Sequence, residues 1–207
     1  YQRNDFKKND SDKHDRIDRI WDKAKADELF QTVQNADKAE ITETKKRSPQ
    51  SPGRLYDLTT LQREANRLHH YPASRTLQIA QSLYERHKVI TYPRTDSKAL
   101  PEDYAPTCKN LLESISGELA QYAQKALQSN WVDEKNKKIF NNKQISDHFA
   151  IIPTSTSPAK LEANERKIYN LITKRFISVF YPPAQWDVTT RTSTLSGLDF
   201  KTEGRVL

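Results

Sequence analysis

The sequence has no methionine, a single cysteine and no long apolar run. With Cys108 alone, neither an intramolecular disulfide framework nor a thiolate metal cluster can form, and such cysteine usage suits a reducing cytoplasm. No stretch approaches the length of a membrane span or a signal-peptide core. A chain that begins at Tyr1 and lacks methionine is expected to be a piece of a longer polypeptide. The hydrophobic fraction, 35%, is low against a charged fraction of 29%. Even so, 3 Trp, 9 Tyr and 7 Phe are too many aromatics for a disordered polymer, so a folded chain with a polar surface is expected.

What is present is basic. The formal charge is +7 and the pI about 9.3, which favours polyanionic partners because each neutralised phosphate releases counterions. The positive residues are dispersed apart from "TKKR" (44–47) and "KNKK" (135–138), and such runs read as solvated surface.

The chain has no internal repeat and alternates between extended and helical patterns. "RIDRIW" (16–21) predicts a short strand, and Asp22 is an N-cap candidate for a helix burying Ala26, Leu29, Phe30 and Val33. "KAEITETKK" (38–46) predicts an exposed strand, and "SPQSPG" (48–53) a linker. Helices are expected over "DLTTLQREANRLHH", with Thr59 and Gln62 as a capping box, and over "RTLQIAQSLYERH", with Leu77, Ala80, Leu83 and Tyr84 on one face. "KVITY" (88–92) predicts a short strand stopped by Pro93, and two further helices are expected around Gly117. Residues 129–145 are polar and predict a surface loop, "HFAIIPT" (148–154) is extended, and 163–181 form a long amphipathic helix. "YPPAQ" (181–185) is a second proline break, followed by a β-like remainder with a turn at Ser196-Gly197. The economical architecture is α+β: a β-rich module, residues 1–50 and 183–207, interrupted by a mostly helical domain over 51–182.

The chemistry concentrates in "ITYPRTDS" (90–97). A phenol has a pKa of about 10, so Tyr92 could attack phosphorus only with cationic help. Arg94 is always charged and shaped to fork two phosphate oxygens, and residues two apart in extended backbone share a face. Asp96 could orient Arg94 or relay a proton. By spacing alone the same residues also make an ordinary strand-end turn with a surface ion pair worth little. His69-His70 cannot face a common metal from adjacent helix positions. Trp21, Trp131 and Trp186 read as core or loop anchors rather than base-stacking platforms.

Three segments together resemble one family. "ITYPRTDS" is similar to the active-site signature of type IA DNA topoisomerases, "LYDLTTLQREAN" (55–66) with "RTLQIAQSLYE" (75–85) resembles the helical approach to it, and "DHFAIIPT" (147–154) resembles its His-containing motif. The likeness favours the topoisomerase III-like branch. It implies that the chain is the gate of a toroidal enzyme, a β-rich arch and the helical domain carrying the tyrosine. Tyr92 would attack a DNA backbone phosphate to give a 5′-phosphotyrosine link, helped by Arg94 and His148, with Asp96 in support. Gln62, Arg63, Thr95 and Ser97 are the candidates for contacting DNA. "RLHHYPAS" departs from the glycine-containing turn of the family at this point.

No metal ligands and no cofactor are expected in this chain; Mg²⁺ would be held by the family's acidic Toprim module, to which nothing here is similar. The expected partners are single-stranded DNA and the Toprim and groove domains of the same polypeptide, in a monomer of the bacterial cytoplasm associated with the nucleoid. The competing expectation is a non-enzymatic single-strand-binding or partner-docking module of the same fold. A tyrosine recombinase fits less well, because its Arg/His set should precede a late tyrosine and His148 follows Tyr92.

Overall fold

The computed structural model describes Arg16 and residues 19–207. The chain divides into two compact units, one formed by the described residues up to Gln50 with Ala184–Leu207, the other by Ser51–Pro183. Part of the strand expected at 16–21 lies outside the described residues, and Arg19, Ile20 and Trp21 are irregular.

The first unit holds helix α1 (Lys23–Gln34) and strands β1 (Glu40–Gln50), β2 (Ala184–Leu195) and β3 (Leu198–Val206). Asp22 caps α1 through its carboxylate, which accepts from the amides of Ala24 and Lys25. No residue of α1 is fully buried: Ala26, Leu29 and Val33 are half-buried and Phe30 is 63% exposed, so the apolar stripe is only partly covered among the described residues. The strands form an antiparallel sheet in the order β1-β2-β3. β1 runs on through Ser48 and Pro49, residues whose composition predicts a linker; β1 is an edge strand, where proline's missing N–H costs no ladder bond. Gln50 pairs with Ala184, so the second unit leaves and re-enters the sheet at adjacent positions. Ser196 (φ 47°) and Gly197 (φ 79°) make the two-residue turn between β2 and β3, and positive φ at both positions is what matches the strand twist. Trp21 is 70% exposed with the Arg19 guanidinium 5.9 Å from its ring, not a core anchor.

The second unit is helical: α2 (Leu58–His69), α3 (Ala73–Glu85), α4 (Ala105–Ser114), α5 (Ala120–Gln128) and α6 (Ala163–Ser178). α2 is capped by Asp57, whose carboxylate accepts from the Thr60 amide at 2.6 Å while Thr60 Oγ1 accepts from the Asp57 amide. The box therefore starts two residues before the Thr59 that the sequence suggests. α3 buries Thr76, Ile79, Ala80 and Leu83, rotated from the expected face; Thr76 can go inside because its hydroxyl donates back to Pro72 O. Pro106 sits in the first turn of α4, where its missing N–H has no intrahelical acceptor to lose. α6 is buried on more than one stripe, since Ile168, Tyr169, Leu171 and Ile172 join one core cluster and Phe176 and Ile177 the other.

Two short extended segments run between those clusters. Alternate side chains of an extended chain point to opposite sides, so Ala150 and Ile152 enter one cluster and Ile151 the other, as Leu55 and Tyr56 also divide. The expected strand at 88–92 contracts to one bridge, Ile90 with Pro153. Segment 129–145 is not a surface loop: Val132, Ile139 and Phe140 are core residues, and Trp131 packs on Tyr181 with ring centroids 4.6 Å apart. Cys108 is fully buried, and desolvation pushes its thiol up to about 12, which leaves it inert.

His70 closes α2 in the left-handed region (φ 57°), a position glycine takes without steric cost. Its exposed imidazole makes no hydrogen bond among the described residues, so His70→Gly is expected to raise stability by about 0.5–1 kcal/mol. Urea unfolding measures this, and a lowered midpoint would contradict it.

Glu165 ties α3 to α6. Its carboxylate accepts from Ser82 Oγ (2.7 Å), Arg86 Nη2 (3.1 Å) and the Glu162 amide (3.0 Å), and lies 3.0 Å from His87 Nε2. Burial alone would raise this carboxyl; the Ser82 and Glu162 hydrogen bonds and the charges of His87 and Arg86 outweigh it and hold it below the usual range. A depressed carboxyl contributes stability above its unfolded pKa, about 4.3, and loses it as pH falls through the lower folded value. The urea midpoint should therefore drop in that acidic window, and Glu165→Gln should flatten that part of the profile while lowering the neutral plateau.

Candidate active site

Tyr92 stands where two segments are stitched together. The amide of Thr91 donates to Ile152 O (2.9 Å), its hydroxyl donates to Ala150 O (3.0 Å), and the same hydroxyl accepts from the Ile152 amide (3.0 Å). Beyond the buried Pro93, Thr95 Oγ1 donates to His148 O at 2.8 Å. Residues flanking Tyr92 on both sides thus grip the segment that carries His148. As a result the two rings meet, with centroids 4.3 Å apart and planes tilted 47°. Tyr84 of α3 abuts Tyr92 edge-on at 5.3 Å, and Lys88 Nζ lies 5.4 Å from the Tyr84 ring centre.

The loop is held from below as well. Thr95 O accepts from the Leu58 amide at the start of α2, and Lys98 Nζ lies 3.5 Å from the capping carboxylate of Asp57. Ser97 Oγ donates to Gln144 O at 2.8 Å. Thr95 and Ser97, expected to face DNA, are buried with their hydroxyls engaged by backbone carbonyls. Each would otherwise leave a buried polar group unsatisfied, so their work is to fix the loop.

Arg94 is exposed, and its partner is one that sequence patterning does not reveal. With the Gln81 carboxamide oxygen turned toward it, that oxygen accepts from Arg94 Nη2 at 2.7 Å and Nε at 3.3 Å. Gln81 lies on α3 beside the buried Ala80, so the helix that supplies Tyr84 also aims the guanidinium. Asp96 does not orient Arg94: it accepts from Ser146 Oγ at 3.1 Å instead. Gln62 Nε2 donates to Ala73 O (3.1 Å), joining α2 to α3, whereas Arg63 is exposed with no ion pair among the described residues.

Burial pushes the Tyr56 phenol up to about 12 and raises those of Tyr104, Tyr169 and Tyr181, which suppresses their phenolates. Tyr92 is half-buried, its hydroxyl makes no hydrogen bond among the described residues, and the exposed His148 and Arg94 side chains belong to the same loop cluster. A phenol, an imidazole and a guanidinium gathered this way suit attack on a phosphodiester.

The family model described as DNA topoisomerase matches residues 2–207. The chain belongs to the type IA DNA topoisomerase family. It is 41% identical over 174 residues to DNA topoisomerase 3 of Bacillus licheniformis, covering 82% of this chain and 24% of the relative. To DNA topoisomerase 3 of Bacillus subtilis it is 37% identical over 200 residues, covering 95% of this chain and 27% of the relative. The chain thus spans about a quarter of the length of these curated relatives. In fold it is similar to full-length topoisomerase I from Thermotoga maritima, with a TM-score of 0.57 and 24% identity over 86% of this chain and 29% of that one. The α+β class expected for a topoisomerase segment is the one observed.

Proposed function

We propose that this chain is the strand-cleaving gate segment of a type IA topoisomerase and that Tyr92 is its nucleophile on single-stranded DNA. The observation that carries the reading is the contact of the Tyr92 and His148 rings at 4.3 Å, beside an Arg94 aimed by Gln81. The phenolic oxygen bonds to phosphorus as the bond from phosphorus to the 3′ oxygen breaks. The phenol gives up its proton, the departing 3′ oxygen gains one, and the strand's 5′ phosphate stays on Tyr92. Arg94 offsets charge on the phosphoryl oxygens, and His148 is the neighbouring group able to hold a phosphate oxygen or move the proton. Reversal rejoins the strand without ATP, because the phosphotyrosine ester conserves the bond energy. The two crossings between the units, at 50/51 and 183/184, are where bending would open a passage for another strand.

Among the described residues no group of three or more His, Cys, Asp or Glu side chains is placed to hold a metal ion. No step is routed through a metal ion here, and we leave Mg²⁺ to a Toprim module elsewhere in the polypeptide. The 207-residue chain alone should leave a single-stranded oligonucleotide with Mg²⁺ uncut. In a polypeptide extended to the length of the curated relatives, an oligonucleotide labelled at its 3′ end should transfer its label to protein, and one labelled at its 5′ end should not. Label transfer from the 5′ end would reverse the assigned polarity and sink the mechanism.

A further inference from the structure

α6 lines a polar cleft of about 420 Å³ whose far walls are the Ser/Thr-rich loop 154–158 and the turn at Gly117. Arg166, Asn170 and Lys174 are spaced four apart, which puts them on one face of the helix, and all three line the cleft. Neither cation has an ion-pair or hydrogen-bond partner among the described residues, although Arg166 is half-buried. Glu118 is the one acid in the lining, so the walls carry two positive charges against one negative. On the opposite wall the Thr154 hydroxyl is engaged with Lys88 O, and the Thr156 amide donates to that same Thr154 oxygen. These bonds fix the loop and leave the hydroxyls of Ser155 and Thr156 free to donate.

We propose that this cleft is a second nucleic-acid contact, taking a backbone phosphate of the strand rather than a base. A guanidinium, an ammonium, a carboxamide and hydroxyls can all donate to a phosphate oxygen, and all of them line this one cleft. No aromatic face opens into the cleft other than that of Tyr169, which is 8% exposed, so base stacking is not its mode. The loop continues from the segment bearing His148, and Thr154 bonds to both Lys88 and Val89 just ahead of Tyr92. A phosphate held here would fix the strand to the framework that carries the nucleophile. The inference rests on nucleic acid being the ligand of this chain, but not on Tyr92 being reactive.

The test is a salt series of oligothymidylate binding by the 207-residue chain, read by fluorescence anisotropy. Arg166→Gln/Lys174→Gln should weaken binding at low salt and make the log–log salt slope shallower by about 0.7 for each phosphate that is no longer neutralised. Asn170→Asp, which adds a negative charge without removing either cation, should weaken binding in the same direction, and Tyr92→Phe should leave the slope as it is. Thermal unfolding of each variant confirms that the fold is kept. Unchanged affinity and slope in both cleft variants would overturn the proposal. So would saturation of the cleft by inorganic phosphate without competition against the oligonucleotide, or tighter binding of polyglutamate than of oligothymidylate of equal charge. Covalent adduct formed by a full-length Tyr92→Phe protein, with the salt slope intact, would instead count against the role of Tyr92 alone.

Discussion

Tyr92→Phe, in a polypeptide of the relatives' full length, should abolish the covalent DNA adduct and leave the fold untouched. The substitution removes a single oxygen, the atom assigned to attack phosphorus, so the expected loss is complete rather than fractional. The ring remains to pack on His148 at 4.3 Å and on Tyr84 at 5.3 Å. Because the hydroxyl has no hydrogen bond among the described residues, its removal leaves no buried donor or acceptor unsatisfied, and stability should stay within about 0.5 kcal/mol. Non-covalent binding of single-stranded DNA should persist, since the cations that release counterions are retained. Tyr84→Phe is the matching control: it deletes the nearest other phenol and should form adduct as the parent does. Denaturing gels with a labelled oligonucleotide read both variants. Adduct from Tyr92→Phe would eliminate Tyr92 as nucleophile, and equal adduct loss in both would point to disturbed packing of the aromatic cluster. If neither the parent nor the variant forms adduct while both bind DNA, the competing binding-module reading gains the ground.

The helical periodicity of α2 and α6, the Thr- and Ile-bearing composition of β1 and the β-like remainder with its Ser196-Gly197 turn are local signals, and those elements were legible as helix and strand from the residues themselves. Their details were not. Asp57 rather than Thr59 caps α2 because a short carboxylate can reach the Thr60 amide, a choice between neighbours that composition cannot rank. Thr76 rather than Leu77 is buried on α3 because back-bonding to Pro72 O satisfies the threonine hydroxyl. The site shows the same division. "ITYPRTDS" offered a phenol and a guanidinium through local spacing, but the meeting of Tyr92 with His148 depends on Thr91 and Thr95 bonding across a long separation in sequence. Periodicity carries no information on that pairing; only the resemblance of three motifs to one family suggested it. Gln81 was missed outright, since a polar residue on a helix flank reads as solvated surface until the loop folds over it.

Segment 129–145 gives the sharpest test of tertiary context, because its polar composition predicts a loop that could be altered freely. Phe140→Ala should instead cost about 3–5 kcal/mol, the range for emptying a buried phenylalanine site. Phe140 is 0% exposed and belongs to the cluster with Leu112, Phe176 and Phe180. Its neighbours are fixed by backbone: the Leu100 amide donates to Ile139 O at 2.7 Å, and the Asn141 amide donates to Leu100 O at 2.9 Å. The surrounding structure therefore has little freedom to collapse into the vacated space, which places the cost toward the upper end. Phe30→Ala, at a site 63% exposed on α1, should stay within about 0.5 kcal/mol and controls for loss of an aromatic ring as such. Urea midpoints at constant m-value measure both. The effect should also travel to the site. The chain after Phe140 supplies Gln144 O, which anchors Ser97, and then His148. Loosening it should lower adduct formation even under conditions where the variant stays folded. A Phe140→Ala protein within about 1 kcal/mol of the parent, with normal adduct yield, would mean that the segment behaves as the surface loop its composition suggests and does not support the tyrosine.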